Sequence, residues 1–141
     1  HNDEGMIRKN DAESMVNTKR LNDKFIKRID EFTFYDLDHQ DNSEKLIVSY
    51  GISSEASRDA VEELRNDGEK ISLLIVNTLL PVPPAITEII NRYKSVTFVE
   101  ENLSGIYCDI IFGQNVPSHI KKVNKIGNLI SPSEILNIVR S

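Results

Sequence analysis

The feature that most constrains the fold is an alternation of short apolar runs with segments of helical periodicity. Residues 46–48, 71–76 and 96–99 are runs rich in β-branched side chains and nearly uninterrupted by polar ones. Such runs predict strands buried on both faces, because a half-exposed strand alternates apolar and polar residues. Between them, apolar residues recur every three or four positions, as on one face of a helix. This alternation predicts a parallel sheet covered by helices. The helical positions are Ala56, Ala60, Val61, Leu64, Ile86, Ile89, Ile90, Tyr93, Tyr107, Ile110 and Ile111.

The chain ends with a weak strand signal and a strong helix signal. Residues 119–123 are short and half polar, which is typical of an edge strand protected by lysines. Ser131, Pro132 and Glu134 then have the pattern of a capping box, in which a hydroxyl and a later carboxylate bond each other's backbone N–H groups. The pattern predicts a final helix that begins at Pro132.

The first 43 residues differ from the rest, because they are polar and rich in Asp and Asn. Residues 11–29 contain no Gly or Pro, and an apolar stripe that includes Leu21, Phe25 and Ile29 predicts a helix there. Its first half is weakly amphipathic, so we expect the helix to pack against a surface that lies outside this sequence. The chain opens on His1 rather than Met, and we expect a piece of a longer polypeptide. In this interpretation residues 1–31 form a connecting arm with a helix from the preceding domain, and residues 32–141 form the compact domain.

Bulk composition limits the functional classes. A chain of 141 residues with 39% hydrophobic and 28% charged residues fits one globular domain. The net charge of -5 comes from interspersed acids and bases, which form no basic stripe for nucleic acid. The apolar runs are far shorter than the roughly 20 residues that cross a bilayer. We therefore expect a soluble, cytoplasmic protein with neither nucleic acid nor membrane as partner. The single cysteine, Cys108, allows no internal disulfide and no cysteine-ligated cluster, and we expect a small buried side chain in a helix.

In an open parallel sheet, ligands and partners gather at the C-terminal ends of the strands, so the loops after residues 50, 76 and 99 are the candidate sites. The first loop holds Gly51, Ser53 and Ser54. It lacks the glycine spacing of a dinucleotide-binding loop or a P-loop, and Glu55 stands where a nucleophile elbow requires glycine. We expect Gly51 to make the turn and Ser54 to cap the next helix, whose N-terminus can still dock an anion.

The second loop carries Pro81, Val82 and Pro83. Its prolines fix the backbone and delay the next helix until about residue 85. A rigid apolar loop of this kind suits contact with another protein surface. A loop that only orients its helix is an equally good interpretation, and one loop can do both.

The third loop, with Glu100, Glu101, Asn102 and Gly105, is the most polar. Paired acids serve in acid–base catalysis when burial raises the pKa of one of them. No histidine lies near in sequence to relay a proton, and exposed acids at a strand end more often cap a helix or meet a partner's arginine. We therefore expect no catalytic role here.

One further cluster superficially suggests a metal loop: Asp36, Asp38, His39 and Asp41. The calcium-loop pattern fails, because Asp41 stands where Gly is required and Ile47 where the later Glu is required. We expect a solvated loop without a metal.

Together these segments resemble the C-terminal domain of the alpha subunit of 2-oxoacid:ferredoxin oxidoreductases. The order and spacing match over residues 47–54, 60–64, 68, 79–83, 99–105 and 130–135. Residues 1–5 and the basic residues Lys19, Arg20 and Lys24 are similar to the family's connecting segment, so the resemblance covers nearly the whole chain. Val82 stands where the family usually has Phe.

The layout is also similar to the last domain of transketolase and of the beta subunit of 2-oxoacid dehydrogenases. The resemblance implies an α/β fold of the transketolase C-terminal type. Its three α/β/α layers contain a five-stranded, mostly parallel sheet with an antiparallel first strand, assigned to residues 32–37.

The resemblance also implies a function, a non-catalytic structural and interface domain. The whole enzyme would decarboxylate a 2-oxoacid on thiamine diphosphate, transfer the acyl group to coenzyme A and pass electrons through an iron–sulfur cluster to ferredoxin. Thiamine diphosphate, Mg²⁺ and the cluster are expected in the full complex and not in this fragment, which is expected to be inactive alone. The implied partners are the remaining domains of the alpha subunit, the beta subunit and, through the complex, ferredoxin.

No catalytic, cofactor-binding or metal-binding residue is expected in the chain. The candidate interface rim consists of Gly51, Ser53, Ser54, Pro81, Val82, Pro83, Glu100, Glu101, Asn102 and Gly105. Two alternatives stay open: a free-standing α/β binding or regulatory module, and the equivalent domain of a transketolase or 2-oxoacid dehydrogenase. A receiver-like module would need acids after the first strand, where the chain has Tyr50, and a phosphorylatable Asp after the third.

Overall fold

The computed structural model describes residue 2, residues 4–8 and residues 11–141. The chain divides into two compact units, residues 1–33 and residues 34–141. The assignment of residues 1–31 as a connecting arm stays a prediction.

The first unit is built on helix α1, Ala12–Lys27. The Asp11 carboxylate accepts the N–H of Ser14 and caps the helix, since a side-chain acceptor satisfies one of the orphan donors of a first turn. A 3-10 turn, Ile29–Phe32, follows, and the rings of Phe25 and Phe32 lie 5.0 Å apart. The predicted helix over residues 11–29 is confirmed to within two residues at its C-terminal end.

The second unit contains one five-stranded sheet. Its strands are β1 Tyr35–Asp38, β2 Lys45–Ser49, β3 Ile71–Val76, β4 Ser95–Glu100 and β5 Ile120–Asn124. Their order across the sheet is β1-β3-β2-β4-β5, and β1 is antiparallel to β3 while the other pairs are parallel. The predicted fold class is confirmed. The first strand begins at Tyr35 rather than Phe32, because Phe32 completes the preceding 3-10 turn.

Four helices complete the unit: α2 Ser53–Asn66, α3 Pro84–Ile90, α4 Ile106–Phe112 and α5 Pro132–Arg140. Successive strand residues point to opposite faces, so β2 contributes Leu46 and Val48 to one core and Ile47 to the other. The first core includes Ile86 of α3, and the second includes Leu64 of α2. Because both faces of the sheet are covered, the central strands consist mostly of apolar residues.

Local signals in the sequence set two of the helix ends. Gly68, at φ +84°, follows α2 and lets the N–H of Glu69 reach the carbonyl of Leu64 at 2.9 Å. The predicted capping box of α5 is confirmed, with the side chains of Ser131 and Glu134 bonded to each other's backbone N–H. Among the residues that the structure describes, no helix has the length and apolar character needed to cross a membrane.

The strand register brings the three candidate loops, after β2, β3 and β4, to one edge of the sheet. Ser49 pairs with Ile75 and with Val99, and Glu100 pairs with Asn124, so the C-terminal ends of the four parallel strands lie side by side. Antiparallel β1 begins at this same edge, where Tyr35 pairs with Val76. We call it the carboxyl edge, and the opposite end of the sheet the amino edge.

Candidate functional site at the carboxyl edge of the sheet

The carboxyl edge collects the predicted rim residues from three loops. Gly51, Ser53 and Ser54 follow β2, residues 81–83 follow β3, and Glu100 is the last residue of β4. Glu101, Asn102 and Gly105 lie between β4 and α4. Whether these residues form an interface stays a prediction, but the structure shows the contacts that most of them make within the chain.

Glu100 is not exposed, because its side chain is 1% accessible to solvent. Its Oε2 accepts the N–H of Tyr107 at 2.8 Å, and its Oε1 accepts the N–H of Cys108 at 3.0 Å. The amide of Asn102 and the hydroxyl of Tyr50 donate to Oε2 at 2.9 and 3.2 Å. A buried carboxylate needs such donors to replace water. The expectation that this acid lies exposed at the strand end is therefore wrong, whereas the helix-capping interpretation is confirmed.

Asn102 completes the cap that Glu100 begins. Its Oδ1 accepts the N–H of Gly105 at 2.7 Å and the N–H of Ile106 at 3.1 Å. The two side chains thus satisfy four successive N–H groups at the start of α4, which a helix cannot pair internally. Acceptors within the chain therefore occupy all four of these N–H groups of α4.

Glu101 braces a different loop. Its Oε1 accepts the N–H of Ile130 at 3.2 Å, which ties the β4–α4 loop to the loop before α5. That second loop is itself held by Lys125, whose Nζ lies 2.9 Å from a carboxylate oxygen of Glu134. Glu100, Glu101 and Asn102 therefore all use their side chains to hold the loops of this edge in place.

Two tyrosines lie against this cluster, and both titrate far above neutral pH. Burial raises the pKa of Tyr107 to about 12, and burial followed by the negative charge of Glu100 raises the pKa of Tyr50. Their rings meet edge to face, with centroids 5.7 Å apart. The hydroxyl of Tyr107 is buried, with no hydrogen-bond partner among the described residues. Both phenols therefore stay protonated at pH 7.

The loop after β2 differs from the prediction at Ser54. Ser54 does not cap α2, because the helix begins at Ser53 and the residue before it, Ile52, already has helical angles. The Ser54 N–H bonds the carbonyl of Gly51, and within residues 34–141 its hydroxyl oxygen is buried without a partner. Gly51, at φ +58°, makes the turn as expected.

The proline loop after β3 is fastened to the start of β1, because the carbonyl of Phe34 accepts the N–H groups of Asn77 and Thr78. The Leu80–Pro81 peptide bond is cis, and α3 begins at Pro84, one residue earlier than expected. Val82 is half-buried and packs on the core with Ile86, while Leu80 projects into solvent.

The residues outside the rim have structural roles. Asp36 pairs with Arg58 at 3.0 Å and Asp38 pairs with Arg65 at 2.9 Å, which fastens β1 to α2. Over residue 2, residues 4–8 and residues 11–141, no three His, Cys, Asp or Glu side chains are arranged to hold a metal ion. Cys108 is buried as predicted, and burial raises its pKa to about 11.

The sequence interpretation missed two features of this edge. Tyr50 reads as the end of a strand, yet its hydroxyl joins the Glu100 cluster. The candidate interface rim also leaves out Ile52, Leu80 and Leu103, each of which is exposed in a loop of this edge. The available signal is position, since each lies within four residues of the C-terminal end of a strand.

Comparisons with known proteins agree with this architecture. The pyruvate:ferredoxin oxidoreductase core domain II family matches residues 43–135. The 2-oxoglutarate synthase subunit KorA of Methanothermobacter thermautotrophicus is 28% identical over 86% of this chain and 33% of its own length. The ketoisovalerate oxidoreductase subunit VorB of Methanothermobacter marburgensis is 33% identical over 71% of this chain and 29% of its own. The chain therefore spans about a third of these relatives.

Solved structures show the same fold. The 2-oxoglutarate:ferredoxin oxidoreductase from Magnetococcus marinus, solved with 2-oxoglutarate, coenzyme A and succinyl-CoA bound, superposes with a TM-score of 0.79 at 20% identity. The match covers 97% of this chain and 24% of that one. A split-gene transketolase superposes with a TM-score of 0.61 at 15% identity, over 76% of this chain and 40% of that one. Since the family match spans more than half of its residues, this chain belongs to the pyruvate:ferredoxin oxidoreductase core domain II family.

Proposed function

We propose that this chain is a non-catalytic structural and interface domain of the alpha subunit of a 2-oxoacid:ferredoxin oxidoreductase. The observation that carries the proposal is the use of the polar side chains at the carboxyl edge. Folds of this class hold ligands at that edge. Here Glu100 and Asn102 cap α4, and Glu101 fastens the loop before α5. These groups act as structural acceptors, which supports a scaffold rather than a reaction centre.

The whole enzyme would carry out thiamine-dependent oxidative decarboxylation. We infer this chemistry from the relatives, which are named for 2-oxoglutarate and ketoisovalerate, and from the ferredoxin oxidoreductase that shares the fold. The acyl group would pass to coenzyme A and the electrons through an iron–sulfur cluster to ferredoxin. The other domains of the alpha subunit and the beta subunit would be the immediate partners, in the cytoplasm.

The polar residues at the starts of α4 and α5 do not fit thiamine diphosphate with its magnesium ion. Mg²⁺ takes carboxylate oxygens together with phosphate oxygens and water. The Glu100 carboxylate is buried among N–H and O–H donors, and Glu134 is engaged by Lys125 and by its own capping box. A diphosphate would need free N–H donors, and the start of α4 has none left over among its first four. We therefore place the cofactor in other segments of the enzyme.

Calorimetry tests the non-catalytic role. Thiamine diphosphate titrated with Mg²⁺ into the purified 141-residue chain should give no binding heat up to about 1 mM, a weak-affinity limit. The same titration into the assembled enzyme is the positive control. Tight, magnesium-dependent binding to the isolated chain would contradict the proposal.

An electron-acceptor assay tests the enzyme class. The assembled enzyme should reduce a viologen dye when given a 2-oxoacid and coenzyme A, and should not reduce NAD. Reduction of NAD with no viologen reaction would instead assign the chain to a dehydrogenase complex.

A further inference from the structure

Exposed apolar side chains in the second unit are concentrated at one edge. Residues 34–141 are all described, and nine of their large apolar side chains are exposed. Tyr35 and Ile110 lie within β1 and α4. Of the other seven, six lie in loops at the carboxyl edge and Ile106 is the first residue of α4; the seven are Phe34, Ile52, Leu80, Leu103, Ile106, Ile126 and Leu129. We call these seven residues the apolar row.

The apolar row follows the whole width of the sheet. In spatial order, Phe34 precedes β1, Leu80 follows β3, Ile52 follows β2, Leu103 follows β4 and Leu129 follows β5. Adjacent strands lie about 4.8 Å apart, so five strands place the row over about 19 Å. Leu103 is 76% exposed and Leu80 is 64% exposed. The loops of the amino edge expose polar and charged residues instead, such as Asp41, Lys94 and His119.

Hydrogen bonds fix the loops that carry the row. The carbonyl of Phe34 accepts the N–H groups of Asn77 and Thr78, both at 3.0 Å, which joins the start of β1 to the loop after β3. Asn102 donates to the hydroxyl of Tyr50 at 3.2 Å, and Glu101 accepts the N–H of Ile130. A surface whose loops are already ordered loses little entropy on binding, which favours association.

Charges near the row are largely compensated within the chain. Lys122 pairs with Asp109 and donates to the carbonyl of Ser104 at 3.1 Å, and Lys125 pairs with Glu134. Glu55 is exposed in the first turn of α2, where the helix dipole stabilises a carboxylate. The edge therefore offers a partner apolar area rather than a set of free charges.

We infer that the apolar row is the contact surface for an apolar, charge-poor face of another domain of the same oxidoreductase. The inference rests on the proposed function and specifies the chemistry of the partner. The centre of a protein interface is depleted of charges and rich in large apolar side chains, as this row is. The occupant is a further domain because the curated relatives are about three times as long as this chain, so most of each lies outside the shared segment. Glu100 is buried and capping α4, so of the two possibilities for this acid, a helix cap or a partner's arginine, the structure shows the cap.

Hydroxyl-radical footprinting of side chains tests the inference on the intact enzyme and on the isolated chain. Phe34, Leu80 and Leu103 should be oxidised readily in the isolated chain and protected about fivefold or more in the enzyme, as residues in an interface core exclude water. His119, at the amino edge, serves as the internal reference. The row remaining equally oxidised in both would overturn the inference, while the thiamine titration would still decide the proposed function.

Salt and charge substitution test the chemistry of the partner. Protection should change less than about threefold between low salt and 0.5 M NaCl, since contacts without charge pairs are not screened. The double variant Leu80→Asp with Leu103→Asp should weaken assembly at least about tenfold, because burying unpaired carboxylates is costly. Ser118→Asp, on the exposed loop before β5, should assemble normally. Protection that falls as salt rises would show that charge pairs hold the interface. It would contradict an apolar partner face but not the interface role itself.

Self-association is the remaining outcome. Sedimentation of the 141-residue chain over a range of concentrations should show a monomer at the concentrations used for footprinting. A dimer in which the row is protected would overturn the inference, because the occupant would then be a second copy.

Discussion

The carboxylate of Glu100 accepts the backbone N–H of Tyr107 across 2.8 Å, which joins the last residue of a central strand to the first turn of the next helix. The strand and the helix are separated by a five-residue loop, residues 101–105. Because the same carboxylate also accepts bonds from Cys108, Asn102 and Tyr50, one side chain sets the position of the whole loop. The loop carries Leu103, the most exposed member of the apolar row.

Glu100→Gln should lower the free energy of unfolding by about 2–3 kcal/mol, the cost of leaving buried donors unsatisfied. A glutamine keeps one acceptor oxygen and turns an NH₂ group toward either Tyr107 or Cys108, so one of these two backbone N–H groups loses its acceptor. Urea denaturation followed by circular dichroism measures the change. The matched control is Glu101→Gln, which affects one bond at a partly exposed site and should cost about 1 kcal/mol or less. Equal losses in the two variants would contradict the central role of Glu100.

Gly105→Ala should destabilise the domain more than Gly68→Ala. Both glycines have positive φ, +76° and +84°, so alanine suffers similar backbone strain of about 1–2 kcal/mol at each. A Cβ on Gly105 would also lie 2.8 Å from Cδ of Lys122 and 3.0 Å from the side-chain amide of Asn124, whereas a Cβ on Gly68 meets open space. The additional cost is about 1 kcal/mol, at the low end for overpacking, because the Lys122 stem can move. Thermal unfolding of the two variants checks the difference.

The strands could be predicted from the sequence because their burial is uniform. Residues 71–76 form a central strand whose six side chains are all buried, so its apolar run has the same bounds as the strand. The antiparallel direction of β1, by contrast, could not be predicted from its residues. Its residues alternate Tyr35, Asp36, Leu37 and Asp38, a pattern that fits either direction, and only the family resemblance supplied the answer.

The burial of Glu100 could not be predicted from residue type, because a carboxylate at a strand end is usually solvated. A signal was nevertheless present. Val96, Phe98 and Glu100 alternate onto one face of β4, so Glu100 lies on the face that packs against α4. Asn102 followed three residues later by Gly105 then marks a capped helix start. The Ser54 cap failed for a related reason, since a serine near a helix start does not reveal which residue first adopts helical angles.

Ser49→Ala should stabilise the domain by about 1 kcal/mol, because the change removes a buried polar atom and leaves little empty space. Ser49 is fully buried at the end of β2, and among the described residues its hydroxyl oxygen has no hydrogen-bond partner. Ser57→Ala is the control, since the Ser57 hydroxyl donates to the carbonyl of Ser53 at 2.8 Å and its loss should not stabilise. Urea denaturation of both variants distinguishes them. A destabilised Ser49→Ala would indicate that a buried water satisfies the hydroxyl.

Glu134 should give the domain a stability component that is lost in acid. Backbone and side-chain bonds from Ser131, with the ammonium of Lys125, lower its pKa from 4.5 to about 2. Because the folded state binds its proton less tightly than the unfolded state, the stabilisation is fully present above about pH 4.5 and is lost as pH falls toward 2. The difference in Tm between the native chain and Glu134→Gln should therefore be constant from pH 5 to 7 and shrink below it. Lys125→Met should reduce this pH dependence without abolishing it, since the backbone N–H of Ser131 is the largest cause of the lowered pKa and Lys125 contributes the next.

Cys108 provides a direct readout of the Glu100 cap. Burial raises the pKa of its thiol from 9.0 to about 11, so at pH 8 the thiolate is about 100-fold scarcer than in the unfolded chain. Iodoacetamide should therefore modify the native protein at least about 100-fold more slowly than the protein in urea, since the thiolate is the reacting form. Mass spectrometry gives an unambiguous result because the chain has one cysteine.

The N–H of Cys108 is held by Glu100 at 3.0 Å, so Glu100→Gln should speed native labelling through local opening of α4, while Glu101→Gln should not. Equal labelling rates in the two variants would show that core packing, rather than the carboxylate, keeps the first turn of α4 closed.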